Sequence, residues 1–223
     1  MRTLHVSVRE ARMCVDRILL TCGLPHGYVH GVRECVLLSE ALGLGGFKHL
    51  YGDHATLQME NFSTIRVTEG DPLTVDAAGL HAWLLLPTLV DLAVDIARKA
   101  GNSRLKVLRV AHREELQVAA GLAKRHGTEF EVSGDLLTVQ NTSRPRTAEQ
   151  WDPLLHAAMR DGFDVEETLW RAVHRFSNGA LAPDSVVSRR HAGPVILTDD
   201  GSIAGRLPQD DDFDLNMLKK VAP

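Results

Sequence analysis

Apolar residues recur at helical spacing through the first part of the chain. Ser7-Val8-Arg9-Glu10 has the form of a capping box, in which a hydroxyl and a carboxylate satisfy the free N–H groups of a first helical turn. Ala11, Cys14, Val15, Ile18 and Leu19 follow on one face, and Gly23 supplies a stop. Pro25 opens a second helix carrying Val29, Val32 and Val36, which ends near the glycines between 43 and 46. A shorter helix is predicted over 48–59.

The period changes after Asn61. Residues 65–67 and 73–76 read as short strands around the Glu69-Gly70-Asp71-Pro72 turn. Leu89, Leu92, Ala93, Ile96 and Ala97 share one face of a helix predicted over 88–100, and an apolar strand follows over 105–110. Residues 113–126 read as a second crossover helix stopped by Gly127. A hairpin over 128–132 and 136–141 turns at Ser133-Gly134-Asp135. This β-α-β-α-β-β order predicts an α/β sheet with some parallel pairing.

Pro145 lies in a linker over 142–147, and the chain then turns helical again. One helix is predicted over 149–160. Another starts at Asp164 as N-cap, with Glu167 at its third position, and buries Val165, Leu169, Ala172, Val173 and Phe176. A short hairpin is predicted over 194–198 and 202–204, before a tail with the acidic run 210–212. The fold class is therefore α/β, with a helical N-terminal unit over 1–60, a mixed α/β sheet unit over 61–145, and a helical C-terminal region with a short hairpin over 146–223.

Composition narrows the function. The chain has 223 residues, 44% hydrophobic and 24% charged, with a net charge of −4, which is ordinary for a globular protein able to bury a core. It has no basic block for nucleic acid and no apolar run long enough to span a membrane. Three cysteines without a CxxC pair, and a start without a signal core, fit a cytoplasmic protein whose thiols are small core residues. Neither GxGxxG, GxxxxGK[ST] nor GxSxG occurs.

The chemistry concentrates at strand and helix ends. His112 closes the strand at 105–110, and Asn141 closes the second arm of the hairpin, positions where α/β proteins hold ligands. His49 follows a glycine-rich helix end beside Lys48, and an imidazole titrates near neutrality, as a proton-exchanging group must. Ser185, Ser188, Arg189 and Arg190 form a polar cluster able to hold a carboxylate or phosphate. His26 and His30 share a helical face, and Asp53-His54 follow His49, yet neither set has an evident third ligand, so no metal site is assigned. Asp53 beside His49 also leaves a hydrolase open.

Residues of about 6–145 resemble the malate/L-lactate dehydrogenase family that binds its nicotinamide cofactor without a Rossmann fold. The parallels are VSVREARMCVDRILLTCGLP, LGLGGFKHL, LTVDAAG, DLAVDIARKAG, VLRVAHREELQVAAGLAKRHG and LLTVQNTSRP. The resemblance implies a catalytic role for His49 and NAD(P) binding by His112 and Asn141; Lys48 beside His49, with Ser188 and Arg189 of the polar cluster, are the candidates to hold a small 2-oxo or 2-hydroxy acid. Phe47-Lys48-His49-Leu50 stands where that family has D-S-H-G, and Ala111-His112-Arg113-Glu114 where it has N-H-F-G. The chain also lacks the long remainder of those enzymes.

The C-terminal third, DVEETLWRAVHRFSNGALAPDSVVSRRHAGPVILTDDGS, together with GLPHGYVHGVRECVLLSEALGLGG, resembles an uncharacterised bacterial domain family with a P-x-S-x-x-S-R pattern. Two functions follow as expectations. One is a shortened NAD(P)-dependent oxidoreductase; the other is a non-catalytic small-ligand-binding protein or partner subunit, forming a homo-oligomer or serving a larger assembly.

Overall fold

The structure, a computed structural model, describes residues 2–57, 62–141, 147–181, 195–199 and 202–206. The chain divides into two units, Met1–Ala180 and Leu181–Pro223. The first opens with strand β1 (Thr3–Val6) and helices α1 (Val8–Thr21), α2 (His26–Ala41) and α3 (Gly46–Asp53). Ser7 caps α1 by accepting from the Glu10 amide, as the capping-box pattern predicts. Helix α3 is shorter than its predicted span and passes into a single 3-10 turn, His54–Leu57.

Strands β2 (Arg66–Thr68) and β3 (Leu73–Asp76) lead into α4 (Ala82–Ala100) and β4 (Asn102–Leu108). A 3-10 turn (Arg113–Gln117), α5 (Val118–Lys124) and the hairpin β5 (Thr128–Ser133) and β6 (Leu136–Asn141) complete a five-stranded sheet of order β2-β3-β4-β6-β5. Only β3 and β4 run parallel within it, in register from Leu73 with Leu105 to Asp76 with Leu108. Ser103, Leu105 and Val107 of β4 are buried on one face while Arg104 on the other is exposed, so one side of the sheet faces the core formed with α4 and α5.

Helix α4 begins six residues earlier than its periodicity predicts, because Pro87 lies inside it rather than before it. A proline lacks the N–H that would bond the carbonyl four residues back. That carbonyl, of Trp83, instead accepts from the Cys35 thiol of α2 at 3.9 Å. The Pro87 ring packs on α2 at Gly31, where an added Cβ would stand 3.0 Å from the ring. The three cysteines are buried free thiols, in keeping with their reading as core residues.

Helix α2 is buried on most of its circumference and carries a charge inside. Glu34, 4% exposed, accepts from Arg125 at 2.8 Å and Arg33 at 3.1 Å, with Arg12 of α1 at 3.4 Å. Arg33 also binds Asp16 of α1 at 2.9 Å, and Arg125 binds Asp152. Asp152 in turn caps α7 (Pro153–Asp161), which follows the short α6 (Ala148–Trp151). One network of acids and arginines thus joins α1, α2, the end of α5 and the start of α7.

The segment predicted as a helix from Asp164 begins instead with strand β7 (Phe163–Glu166), antiparallel to β1. Pairing with Thr3–Val6 satisfies its backbone while Phe163 and Val165 enter the core. Helix α8 (Glu167–Ser177) therefore starts after it, capped by Glu166, which accepts from the amides of Thr168 and Leu169. The predicted helix over 113–126 is likewise split into a 3-10 turn and α5. In the second unit β8 (Val195–Leu197) pairs antiparallel with β9 (Ile203–Arg206), close to the predicted hairpin. Residues 142–146 of the predicted linker 142–147, and the acidic run 210–212, lie outside the described residues. Among those described, no helix is long and apolar enough to cross a membrane.

Two expected outcomes test this packing. Burial alone would raise the Glu34 pKa, but Arg125, Arg12 and Arg33 outweigh it and hold the carboxyl below its ordinary 4.5. A depressed carboxyl contributes stability above its unfolded pKa and loses it as pH falls through the folded one. Glu34→Gln should therefore cost about 3 kcal/mol at neutral pH, a gap that closes as urea titrations are carried below pH 4.5. Gly46 meets α2 so closely that an added Cβ would lie 2.2 Å from the Val36 carbonyl oxygen. Gly46→Ala should destabilise by about 3 kcal/mol, read as a lower thermal midpoint, because backbone must move to admit it.

Candidate functional site

The parallel pair β3–β4 sets up the site. Beyond its carboxyl end the two loops stay hydrogen-bonded, Ala77 to Leu108, Gly79 to Arg109 and Ala111 to Leu80, as far as a parallel bridge between His81 and Ala111. Asp76 holds this junction, accepting from Arg109 at 2.7 and 2.6 Å and from the Ala78 amide at 3.1 Å. Ala78, Arg109 and His112 have φ of 52°, 50° and 54°, the non-glycine residues of the left-handed region among those described, and all lie in these two loops. Such conformations cost energy and persist only where surrounding contacts enforce them.

The loops deliver two histidines side by side. His81, 1% exposed, caps α4 by accepting from the Trp83 amide through Nδ1 at 3.1 Å. Its proton therefore resides on Nε2, which has no hydrogen-bond partner among the described residues. Burial, reinforced by His112 and His49, pushes its pKa down to about 3, so the ring is neutral. His112 stacks on it, with centroids 4.5 Å apart and planes 28° from parallel.

Helix α3 brings the third imidazole. His49 and Asp53 are four residues apart and so share one helical face, with Nδ1 and Oδ2 separated by 3.5 Å. The same Asp53 oxygen lies 4.0 Å from His112 Nε2, and the two rings meet edge to face at 5.7 Å. One ligating atom from each of His49, Asp53 and His112 falls within 4.8 Å of the other two. The remaining ring nitrogens both face carboxylates. His49 Nε2 is 3.9 Å from Glu115 Oε1, and His112 Nδ1 is 3.5 Å from Glu114 Oε1.

Glu115 is fully buried and accepts from Trp83 Nε1 at 2.7 Å and Ser39 Oγ at 3.0 Å. Burial raises its pKa, and the two donors oppose that rise. From Glu115 inside to Asp53, 40% exposed, the cluster grades from core to solvent through His49 at 25% and His112 at 21%. It can hold and relay protons, bind an oxygen-bearing molecule at its open side, or ligate a cation.

Of the residues the sequence singles out, His49 and His112 come together. Lys48, beside His49 on α3, is exposed. Asn141 ends β6, which runs back antiparallel to β4, and its neighbour Gln140 pairs with Asn102. It thus lies at the amino end of β4, while His112 lies beyond the carboxyl end, on the order of 20 Å away at the rise of a strand. Ser188 and Arg189 lie outside the described residues. The sequence pattern does not mark His81, Glu114 or Glu115 as site residues. Pro87 hid the α4 start that His81 caps, and a glutamate in an Arg-Glu-Glu run reads as surface.

No protein-family model matches the chain, and no curated protein sequence does. Among solved structures it is similar to malate dehydrogenase from Entamoeba histolytica, at 14% identity and a TM-score of 0.44 over 57% of this chain and 37% of that one. Malate dehydrogenase from Pyrococcus horikoshii gives 13% and 0.47 over 65% and 49%. Delta1-piperideine-2-carboxylate reductase from Pseudomonas syringae gives 16% and 0.41 over 80% and 70%. The chain spans less than half the length of the two malate dehydrogenases. At these values the assignment of chemistry rests on the residues themselves.

Proposed function

We propose that the histidine–carboxylate cluster is the functional site and that it takes a small acid of the 2-oxo or 2-hydroxy class, in a chain of the oxidoreductase lineage its motifs resemble. The observation that carries this reading is the convergence of His49, Asp53 and His112 beyond the carboxyl ends of the parallel strands β3 and β4. Open α/β sheets take their ligands at such ends, because the loops there are free to differ while the strands hold them rigid. His49 and His112 are the residues on which acid binding depends, since their imidazole nitrogens line the open side of the cluster beside Asp53.

NAD(P) is the cofactor that the lineage implies. Binding without turnover is the second reading, favoured by Phe47-Lys48 standing before His49 where the family has Asp-Ser. Calorimetry with pyruvate and L-lactate, with and without NADH or NADPH, tests both. His49→Ala and His112→Ala should each weaken acid binding at least tenfold, whereas Asn141→Ala should leave it within twofold. Folded protein that binds neither acid at millimolar concentration overturns the site. Oxidation of NADH by pyruvate overturns the second reading.

A further inference from the structure

We infer that His49, Asp53 and His112 form a divalent-cation site of the two-histidine, one-carboxylate kind, and that the cation's open positions hold the acid. The inference rests on the reading above only for that occupant; the cation itself stands on the donor set. Three observations carry it.

The first is spacing. Donors around a four-coordinate zinc ion, with bonds of about 2.0–2.1 Å, stand about 3.3 Å apart. Asp53 Oδ2 already lies 3.5 Å from His49 Nδ1 and 4.0 Å from His112 Nε2. The two imidazole donors stand within 4.8 Å of each other, so closing every gap takes side-chain movements of up to about 1.5 Å, on side chains that keep contact with solvent.

The second is what stands behind the donors. A metal-bound imidazole nearly always donates its other N–H to a carboxylate, carbonyl or water, which sets the tautomer and the plane of the ring. Both histidines turn that nitrogen toward a carboxylate, His49 Nε2 to Glu115 Oε1 at 3.9 Å and His112 Nδ1 to Glu114 Oε1 at 3.5 Å, so that a small ring rotation brings each within bonding reach. Glu115 is itself fixed by Trp83 and Ser39, and the His112 ring is braced against His81. An isolated surface pair of histidines would need none of this support.

The third is charge. Asp53, Glu114 and Glu115 surround the imidazoles, and among the described residues no lysine or arginine lies within ion-pair distance of any of the three. Arg113, next in the chain to His112, reaches away to Asp135 at 3.9 Å. Carboxylates gathered this way repel one another, and repel the very acid proposed to bind. A divalent ion reverses the local field and is chelated by the carboxylate and the neighbouring oxygen of a 2-oxo or 2-hydroxy acid. Two nitrogens and one oxygen suit zinc, iron(II), cobalt(II) or manganese(II) rather than calcium or magnesium.

Cobalt(II) chloride alone, titrated into the chelator-treated 223-residue chain, tests the site by visible absorption and calorimetry. Uptake of one equivalent is expected. Asp53→Asn and His112→Ala should each weaken it at least tenfold, Glu114→Gln by about tenfold, and His126→Ala, outside the cluster, not at all. Circular dichroism identifies the variants that remain folded. No uptake by folded protein, or uptake indifferent to both Asp53→Asn and His112→Ala, overturns the inference. Pyruvate bound equally well in the presence of chelator also overturns it while leaving the proposed acid site standing. Cobalt uptake with the expected variant effects, but with a spectrum no acid perturbs, upholds the cation and removes the acid.

Discussion

A carboxylate wholly withdrawn from water sits where the structural elements of the site meet. Glu115 comes from the 3-10 turn after β4, and its hydrogen-bond donors come from α2 through Ser39 and from the first turn of α4 through Trp83. Its third neighbour, His49, belongs to α3. Leaving such a group without partners costs several kcal/mol, so satisfying it constrains the relative placement of the 3-10 turn, α2 and α4. The contacts that stabilise the carboxylate thereby fix the position of the charge that His49 faces at 3.9 Å.

The sheet imposes the other constraint. Parallel pairing of β3 and β4 obliges the chain to cross over through α4, and it leaves both following loops at one edge. There the backbone takes left-handed turns at three non-glycine residues, with Asp76 bridging to Arg109 across the junction. The cost of these turns is met by the bonds between the loops, and the result is a rigid platform on which His112 lies against His81. Helix α3 completes the site from the other side, seated on α2 at Gly46, where only a hydrogen fits.

Much of this was readable from residue patterns, and the failures have physical causes. The capping box of α1, the apolar period of α2, the strands β3 and β4 and the β5–β6 hairpin follow from local rules, because each is decided by neighbours in the chain. The β1–β7 pairing joins segments about 160 residues apart and is decided by tertiary contact alone, which is why Asp164 read as a helix cap. Pro87 read as a boundary because nothing local reveals that a thiol of α2 takes over the carbonyl it frees. Within the site, the family resemblance brought His49 and His112 together. It also associated them with Asn141, which the antiparallel return of β6 carries to the other end of β4. The burial of Glu115 has no local signal, since the two residues before it, Arg113 and Glu114, are charged.

The chemistry of this chain turns on what occupies the space between His49, Asp53 and His112. Anomalous diffraction at the cobalt edge, from crystals of the whole chain grown with cobalt(II), addresses it directly. The expected result is a peak at bonding distance from His49 Nδ1, Asp53 Oδ2 and His112 Nε2, with the second nitrogens of both rings turned to Glu115 and Glu114. Cobalt bound only elsewhere, with these three side chains unmoved and uncoordinated, would contradict it.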